Sequence, residues 1–413
     1  MDLPHTNLFP ALQKQSTIER DYGTEHRPLT LLNSENYIQF EFSVAENEFI
    51  KFNEMYLYVK MRVECVGLAT GTDPEWTTII PSNYFLNSLF KQVTVSVNGV
   101  QITENMTNFM YKAYLEALLA YSEDAKLSHL STAFWELDET DRSALLNKGK
   151  DFEMLGRLHL DLTHQPRGLP GPCNILIKLD LNPSEFLFTS AKNQPTGKFT
   201  DVTLNVNRCV ISPSALKAYK QKHQKNPAHI PFSRTYVRAI PIKSKTLDEQ
   251  LEDVCRGRMP RKLYFTMVSN KAYNGDIKQN PFKFDHYNLS FFAAYIDGEQ
   301  YPTQPYKPDF KTGLCKREYM GLIRALGQNN TDSYAKVSFE DFKRKYPILA
   351  VEFEPDLGGA DSFGDIVNPA REGSLRIELK FAEPLPEAVT AIIYLEFDGD
   401  LEIDSANVVK ISR

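Results

Sequence analysis

Two segments of this chain, 199 residues apart, carry the same local instruction. VTVSVNGVQI, from Val93, places Asn98-Gly99 between alternating apolar positions, so that Val97 faces Val100 and Val95 faces Ile102. Asn-Gly accepts the positive φ angles of a type I′ turn, and the segment predicts a two-residue β-hairpin. FFAAYIDGEQY repeats the device with Asp297-Gly298. A helix is predicted after each hairpin. Tyr111, Tyr114, Leu115, Leu118 and Leu119 share one face of the first, and Tyr319, Leu322, Ile323 and Leu326 one face of the second. The strand ILIKLDLNP, from Ile175, returns as RIELKFAEP, displaced by 202 residues with Ile377 on Ile175 or by 200 with Ile377 on Ile177. The strand Val202 to Val206 returns as Ile393 to Phe397. Agreement in order and spacing predicts a structural duplication.

Period-2 alternation runs through both halves and makes the chain all-β. Ile38, Phe40, Phe42 and Val44 form one apolar face, and Leu57, Val59, Met61 and Val63 another. The same pattern predicts strands over Leu158 to Leu162, Ile175 to Leu181, Leu263 to Met267 and Leu375 to Phe381. About eight strands per half is the size of a two-sheet sandwich. With 413 residues the chain exceeds one core, which stops growing at about 250 to 300 residues. The expected division is an N-terminal arm without periodicity at 1–28, a first sandwich at 29–211, a linker at 212–232 and a second sandwich at 233–413. In the linker, Ser212 as N-cap and Pro213 at N1 start a short basic helix that stops before Pro227 and Pro231.

Net charge and motifs then bound the function. A net charge of −6 argues against a dedicated nucleic-acid coat, which needs a basic face. Two basic segments, Lys217, Lys220, Lys222 and Lys225 in the linker and Arg256, Arg258, Arg261 and Lys262 before a strand, would meet packaged DNA if they faced a shell interior. A solvated face or a subunit contact is the plainer reading. No basic leader and no apolar run of about 18 residues is present, so a cytosolic or nuclear product without membrane insertion is expected. Cys65, Cys173, Cys209, Cys255 and Cys315 are odd in number and far apart, which suits reduced thiols. Chance accounts for the N-x-S/T matches at Asn105, Asn288 and Asn329.

No catalytic, cofactor-binding or metal-ligating residue is assigned. The chain lacks the G-x-S-x-G, H-E-x-x-H, P-loop and C-x-x-C spacings. The acidic run Asp398 to Asp404 lacks the spacing of a calcium loop and is expected to be a turn followed by a strand with outward carboxylates. His159, Asp161 and His164 invite a metal or acid–base reading, and solvated strand residues are preferred. Asp138, Glu139 and Asp141 fit a helix start or polar loop.

The residues themselves resemble a family. SNYFLNSLFKQVTVSVNGVQIT and MYKAYLEALLAYSEDAK in the first half are similar to the hexon-like double jelly-roll major capsid proteins of Polinton/Maverick elements and adintoviruses. So are RCVISPSALKAYKQKH, the block from RMPRKLYFTMVSN to QPYKPDF, and REGSLRIELKFAEPLPEAVTAIIYLEFDGDLEID. The resemblance spans most of the chain from about residue 30 to 404. It implies two eight-stranded jelly rolls, short helices in the loops, a homotrimeric pseudo-hexagonal capsomer and an icosahedral shell. It also implies neighbouring capsomers, a penton-type single jelly-roll protein and minor capsid proteins as partners, assembly in the host nucleus, a terminal arm that ties subunits together, and no enzyme activity. Composition alone also permits a two-domain jelly-roll enzyme or lectin acting on glycans, recognisable by a cleft with aromatics and carboxylates and by a monomer in solution.

Overall fold

A computed structural model describes residues 15–66, 74–136, 138–329, 337–353 and 369–412. The first eight principal strands are β1 (Ile18–His26), β2 (Tyr37–Val44), β3 (Glu48–Val66), β4 (Phe90–Val97), β5 (Val100–Gln101), β6 (Phe152–Gly156), β7 (Cys173–Leu181) and β8 (Gln194–Ile211). They form two antiparallel sheets, in the orders β1-β8-β3-β6 and β2-β7-β4-β5. The next eight are β9 (Ala228–Ile242), β10 (Asp248–Arg258), β11 (Lys262–Ser269), β12 (Leu289–Ile296), β13 (Glu299–Tyr306), β14 (Leu349–Glu352), β15 (Glu372–Phe381) and β16 (Val389–Ile403). Their orders are β9-β16-β11-β14 and β10-β15-β12-β13. Adding eight to every strand of the first pair of sheets gives the second pair. The fold is a double jelly roll.

The alternating residues do what period 2 requires. Phe40 and Ile38 of β2 and Leu57 and Val59 of β3 are buried, while Glu41 and Ser43 face water. Both hairpins form, with Asn98 at φ 50° and Gly99 at 79°, and Asp297 at 50° and Gly298 at 89°. A Cβ at Gly99 meets nothing within 4 Å, so only backbone strain opposes it. Gly99→Ala is expected to cost about 1–2 kcal/mol in urea unfolding, the left-handed penalty of an L-residue. Strand register also chooses between the two repeat alignments. Val95 pairs Ile177 and Ala294 pairs Ile377, so Ile377 corresponds to Ile177 and the displacement is 200 residues.

Three expectations change. Residues Ile18–His26, within the segment expected to be an arm, are strand β1 along β8; the arm's first 14 residues lie outside the described ones. The sequence IERDYGTEH is polar because most of this edge strand stays exposed. Leu158 to Leu162 is not a strand: residues 157–160 are irregular, Asp161–His164 is a 3₁₀ turn, and Leu158, Leu160 and Leu162 are buried together with His159 and Asp161 between them. The acidic run is the end of strand β16 with the turn after it, where the Asp404 carboxylate accepts from the Ala406 and Val408 amides, each 2.9 Å. Its other acids have partners: Arg261 sits 3.3 Å from Asp398 and His229 2.6 Å from Asp400.

Strand β1 is pinned by a buried charge on β3. Glu48 accepts from the Tyr22 hydroxyl, from the Ala45 amide at 3.2 Å and from Arg208 at 3.1 Å. Burial alone raises the Glu48 carboxyl, but Tyr22, the Ala45 amide and Arg208 together hold it below the usual carboxylate range. A carboxyl with a depressed folded pKa contributes stability that is present above the unfolded value, near pH 4, and lost as pH falls through the folded value. Glu48→Gln is therefore expected to flatten the acid limb of a stability-versus-pH curve, read by thermal melts, with the neutral value lowered as well.

Candidate functional site

The helices of the two long excursions behave differently, and the first of them makes the site. Helix α1 (Phe109–Ala120) was expected to show one apolar face, yet every residue except Glu116 and Ala120 is buried. The helix α2 (Pro213–His223) of the linker, capped by Ser212 onto the Ala215 amide, leaves Lys217, Lys222 and Lys225 exposed beside or within it. Helix α3 (Lys316–Ala325) buries Leu322 and Ile323 and turns Lys316 and Arg317 to water. The difference has a physical cause. Helix α1 leaves the first roll and lodges against β9 of the second, so its outer side is covered too.

Aromatic packing fills that contact. Tyr114 stacks on Phe282 at 4.2 Å between centroids and on Trp135 at 5.2 Å, and Tyr111 stacks on Tyr273 at 5.8 Å. The Tyr111 hydroxyl donates to the Pro281 carbonyl at 3.1 Å, and the Asn108 amide to the Val237 carbonyl at 3.2 Å. Strand β16 shows the other side of the contact: Val389 to Leu395 are all buried, which a strand with one solvated face would not allow.

At the centre lies an ionic cluster. Lys112, 2% exposed, donates to Asp161 and stands 3.8 Å from Glu116 one helical turn on. Asp161 also accepts from Thr235 of β9 at 2.7 Å. Glu116 accepts from His159 Nδ1 at 2.7 Å through Oε2 and from the Tyr394 hydroxyl of β16 at 3.1 Å through Oε1. The Tyr84 hydroxyl donates to His159 Nε2 at 2.7 Å, and His164 Nε2 lies 3.3 Å from Glu116 Oε2. Burial raises the Glu116 carboxyl, but Lys112 and the two histidines outweigh it and hold the group well below the carboxylate range. Burial pushes His159 down, which keeps it neutral at pH 7 against the pull of Glu116. Burial likewise lowers Lys112, and Asp161 and Glu116 more than restore it.

These positions correct the expectation of solvated residues for the histidine pair. His159 and Asp161 are 2% and 7% exposed, and only His164 reaches water. His159 and Asp161 have different partners, Glu116 and Lys112. Glu116 and Lys112 went unnoticed in the sequence, although a Lys/Glu pair at i, i+4 inside an otherwise apolar helix signals a buried pair. Asp138 caps the helix Glu139–Leu145 through the Thr140 and Asp141 amides, as expected of a helix start. Of the basic groups, Lys220 pairs with Glu46 at 2.5 Å, Arg256 with Asp253 at 2.6 Å, and Lys262 donates to the Ala325 carbonyl at 2.6 Å. The five cysteines are unpaired, and burial pushes the Cys173 thiol up to about 12.

A cleft of about 500 Å³ opens beside the cluster, lined by Tyr264, Tyr394, Glu116, Glu396 and Arg261 among others. It has the aromatics and carboxylates that a glycan site would need. Its polar groups, however, are engaged with one another: Tyr394 donates to Glu116, Tyr264 to the Ala325 carbonyl at 3.3 Å, and Arg261 lies 3.6 Å from Glu396.

The fold and this fused seam define a class, the double jelly roll. Solved structures with it extend over nearly whole chains. A chain of the Sputnik virophage matches with a TM-score of 0.65 at 10% identity, covering 100% of this chain and 92% of its own. The Faustovirus major capsid protein matches at 0.61 and 10%, covering 97% and 93%. The mavirus major capsid protein matches at 0.55 and 10%, covering 100% and 95%. By sequence, the chain is similar to the uncharacterized protein F54H12.2 of Caenorhabditis elegans, 27% identical over 402 residues, 91% of this chain and 94% of that protein. No family model matches. Among the described residues no helix is long and apolar enough to cross a membrane.

Proposed function

We propose that this chain is a hexon-like major capsid protein that trimerises into pseudo-hexagonal capsomers and tiles an icosahedral shell, and that it performs no catalysis. The observation that carries the reading is the whole-chain likeness to the Faustovirus and mavirus major capsid proteins, which spans both rolls and the seam between them. Duplication suits that task. Three chains of two like sandwiches present six similar blocks, the outline that packs a hexagonal lattice, and closed rotational symmetry makes such rings finite. The proposed division keeps a first roll ending at residue 211, a linker and a second roll, with β1 joining the first roll from residue 18 and β9 opening the second at residue 228, inside the 212–232 stretch expected as linker. Contacts within the trimer would be apolar and above about 2,000 Å² in area, and those between capsomers smaller and more polar. Neighbouring capsomers, a penton-type single jelly-roll protein and minor capsid proteins are the partners this assigns.

Light scattering on the purified full chain tests the reading. A particle of three times the 47.2 kDa chain mass is expected, with a hexagonal outline in electron micrographs. A stable monomer that binds sugars would place the function in the cleft beside Glu116 instead.

A further inference from the structure

We propose that Glu116, His159 and His164 form a site for one divalent transition-metal ion of the zinc type, set at the seam between the two rolls. The donor atoms of the three residues all lie within 4.8 Å of one another. Two imidazole nitrogens converge on a single carboxylate oxygen, His159 Nδ1 at 2.7 Å and His164 Nε2 at 3.3 Å from Glu116 Oε2. A tetrahedral ion with bonds of about 2.0–2.2 Å needs its donors only a little over 3 Å apart. The two histidine-to-carboxylate distances already bracket that spacing, and the histidine nitrogens, within 4.8 Å of one another, must draw together, the ion replacing the protons that now bridge the three groups.

The surroundings are built for such an ion. Metal-ligating histidines donate their second ring N–H to a partner, and with Nδ1 on the ion His159 Nε2–H would donate to the Tyr84 hydroxyl, 2.7 Å away. Carboxylate ligands are likewise held, and the Tyr394 hydroxyl holds Glu116 Oε1 at 3.1 Å. Lys112 approaches that same Oε1, at 3.8 Å, while both histidines approach Oε2. One lysine stands against two buried carboxylates, Glu116 and Asp161, and a cation offsets the excess negative charge. Half-exposed His164 opens the fourth position to water. Two nitrogens and one oxygen suit zinc or its late transition-metal neighbours, and not calcium or magnesium, which take oxygen ligands. Bound there, the ion would clamp α1 to the 158–165 turn, two of the first-roll segments that reach the second roll. The inference concerns this chain's own side chains and stands whether or not the chain builds a shell.

The test uses the full-length protein, dialysed against a chelator and titrated with zinc chloride by calorimetry, with cobalt(II) chloride followed by visible absorption as a second probe. One ion per chain at micromolar affinity or tighter is expected, with cobalt bands of tetrahedral intensity. His164→Ala, at a half-exposed position, is expected to fold with unchanged circular dichroism and to lose about 100-fold or more in zinc affinity. Tyr84→Phe keeps all three donors and is expected to lose about 10–100-fold, as outer-shell changes do. Absence of zinc binding up to millimolar concentration, equal binding by His164→Ala, or preference for magnesium over zinc would each overturn the proposal.

Discussion

Lys112→Met is expected to destabilise the protein by about 3–5 kcal/mol, the cost of removing one partner from a buried ion pair. The ammonium is 2% exposed and faces Asp161, 7% exposed, and Glu116. Methionine fills a similar volume, so the loss measures stranded charge and little cavity. Urea unfolding followed by tryptophan fluorescence reads it, since Trp135 packs on Tyr114 of the same helix. The companion variant Lys112→Met/Asp161→Leu is expected to recover most of the loss, because a pair removed together leaves less buried charge without a partner than one removed alone. A double variant as unstable as the single one would show that the cost lies in packing.

Tyr114→Ala is expected to cost about 3–5 kcal/mol by the usual reckoning for a large buried aromatic, through lost burial and the cavity left behind. The ring is sandwiched between Phe282 and Trp135 and meets Phe284 edge-on at 5.9 Å. Phe282 and Phe284 belong to the second half of the chain and Tyr114 to the first. The loss should therefore fall on the seam before it falls on either sandwich, and one urea transition is expected to separate into two. A single transition, merely shifted, would place the lost energy inside one roll. A double-mutant cycle with Phe282→Leu isolates the stacked pair.

Most of the architecture was legible because a sandwich strand writes its burial into every second residue. Strands β2, β3, β7 and β15 follow from Phe40, Val59, Ile177 and Ile377 with their polar alternates. Both hairpins follow from Asn98-Gly99 and Asp297-Gly298, where the turn chemistry is local. Strand β1 escaped because it is an edge strand with both faces largely in water, so IERDYGTEH carries no period. Leu158 to Leu162 misled for the opposite reason: its leucines are buried as a strand's would be, but so are His159 and Asp161 between them, in an irregular segment that runs into a 3₁₀ turn. The candidate site was half visible. His159 and His164 drew notice as a pair, but Glu116, which joins them, lies 43 residues earlier in a helix whose neighbours across the seam no local pattern records. Contacts between distant segments leave only an indirect trace in sequence, here a charged pair among leucines and tyrosines.

Helix α1 also changes what the linker is for. The two halves meet through stacked tyrosines, a wedged helix and an ion pair with its hydrogen bonds to β9 and β16, while α2 adds peripheral contacts, Lys220 with Glu46, Tyr219 edge-on to Phe49 at 5.5 Å and His223 with the Asp404 carbonyl at 3.0 Å. The covalent connection is thus a convenience of synthesis. It ensures equal numbers of the two halves and raises their effective concentration during folding. Once they have docked, severing the chain between Lys222 and Lys225, both exposed, is expected to leave two pieces that stay associated, so that the duplication behaves as a heterodimer joined by a tether.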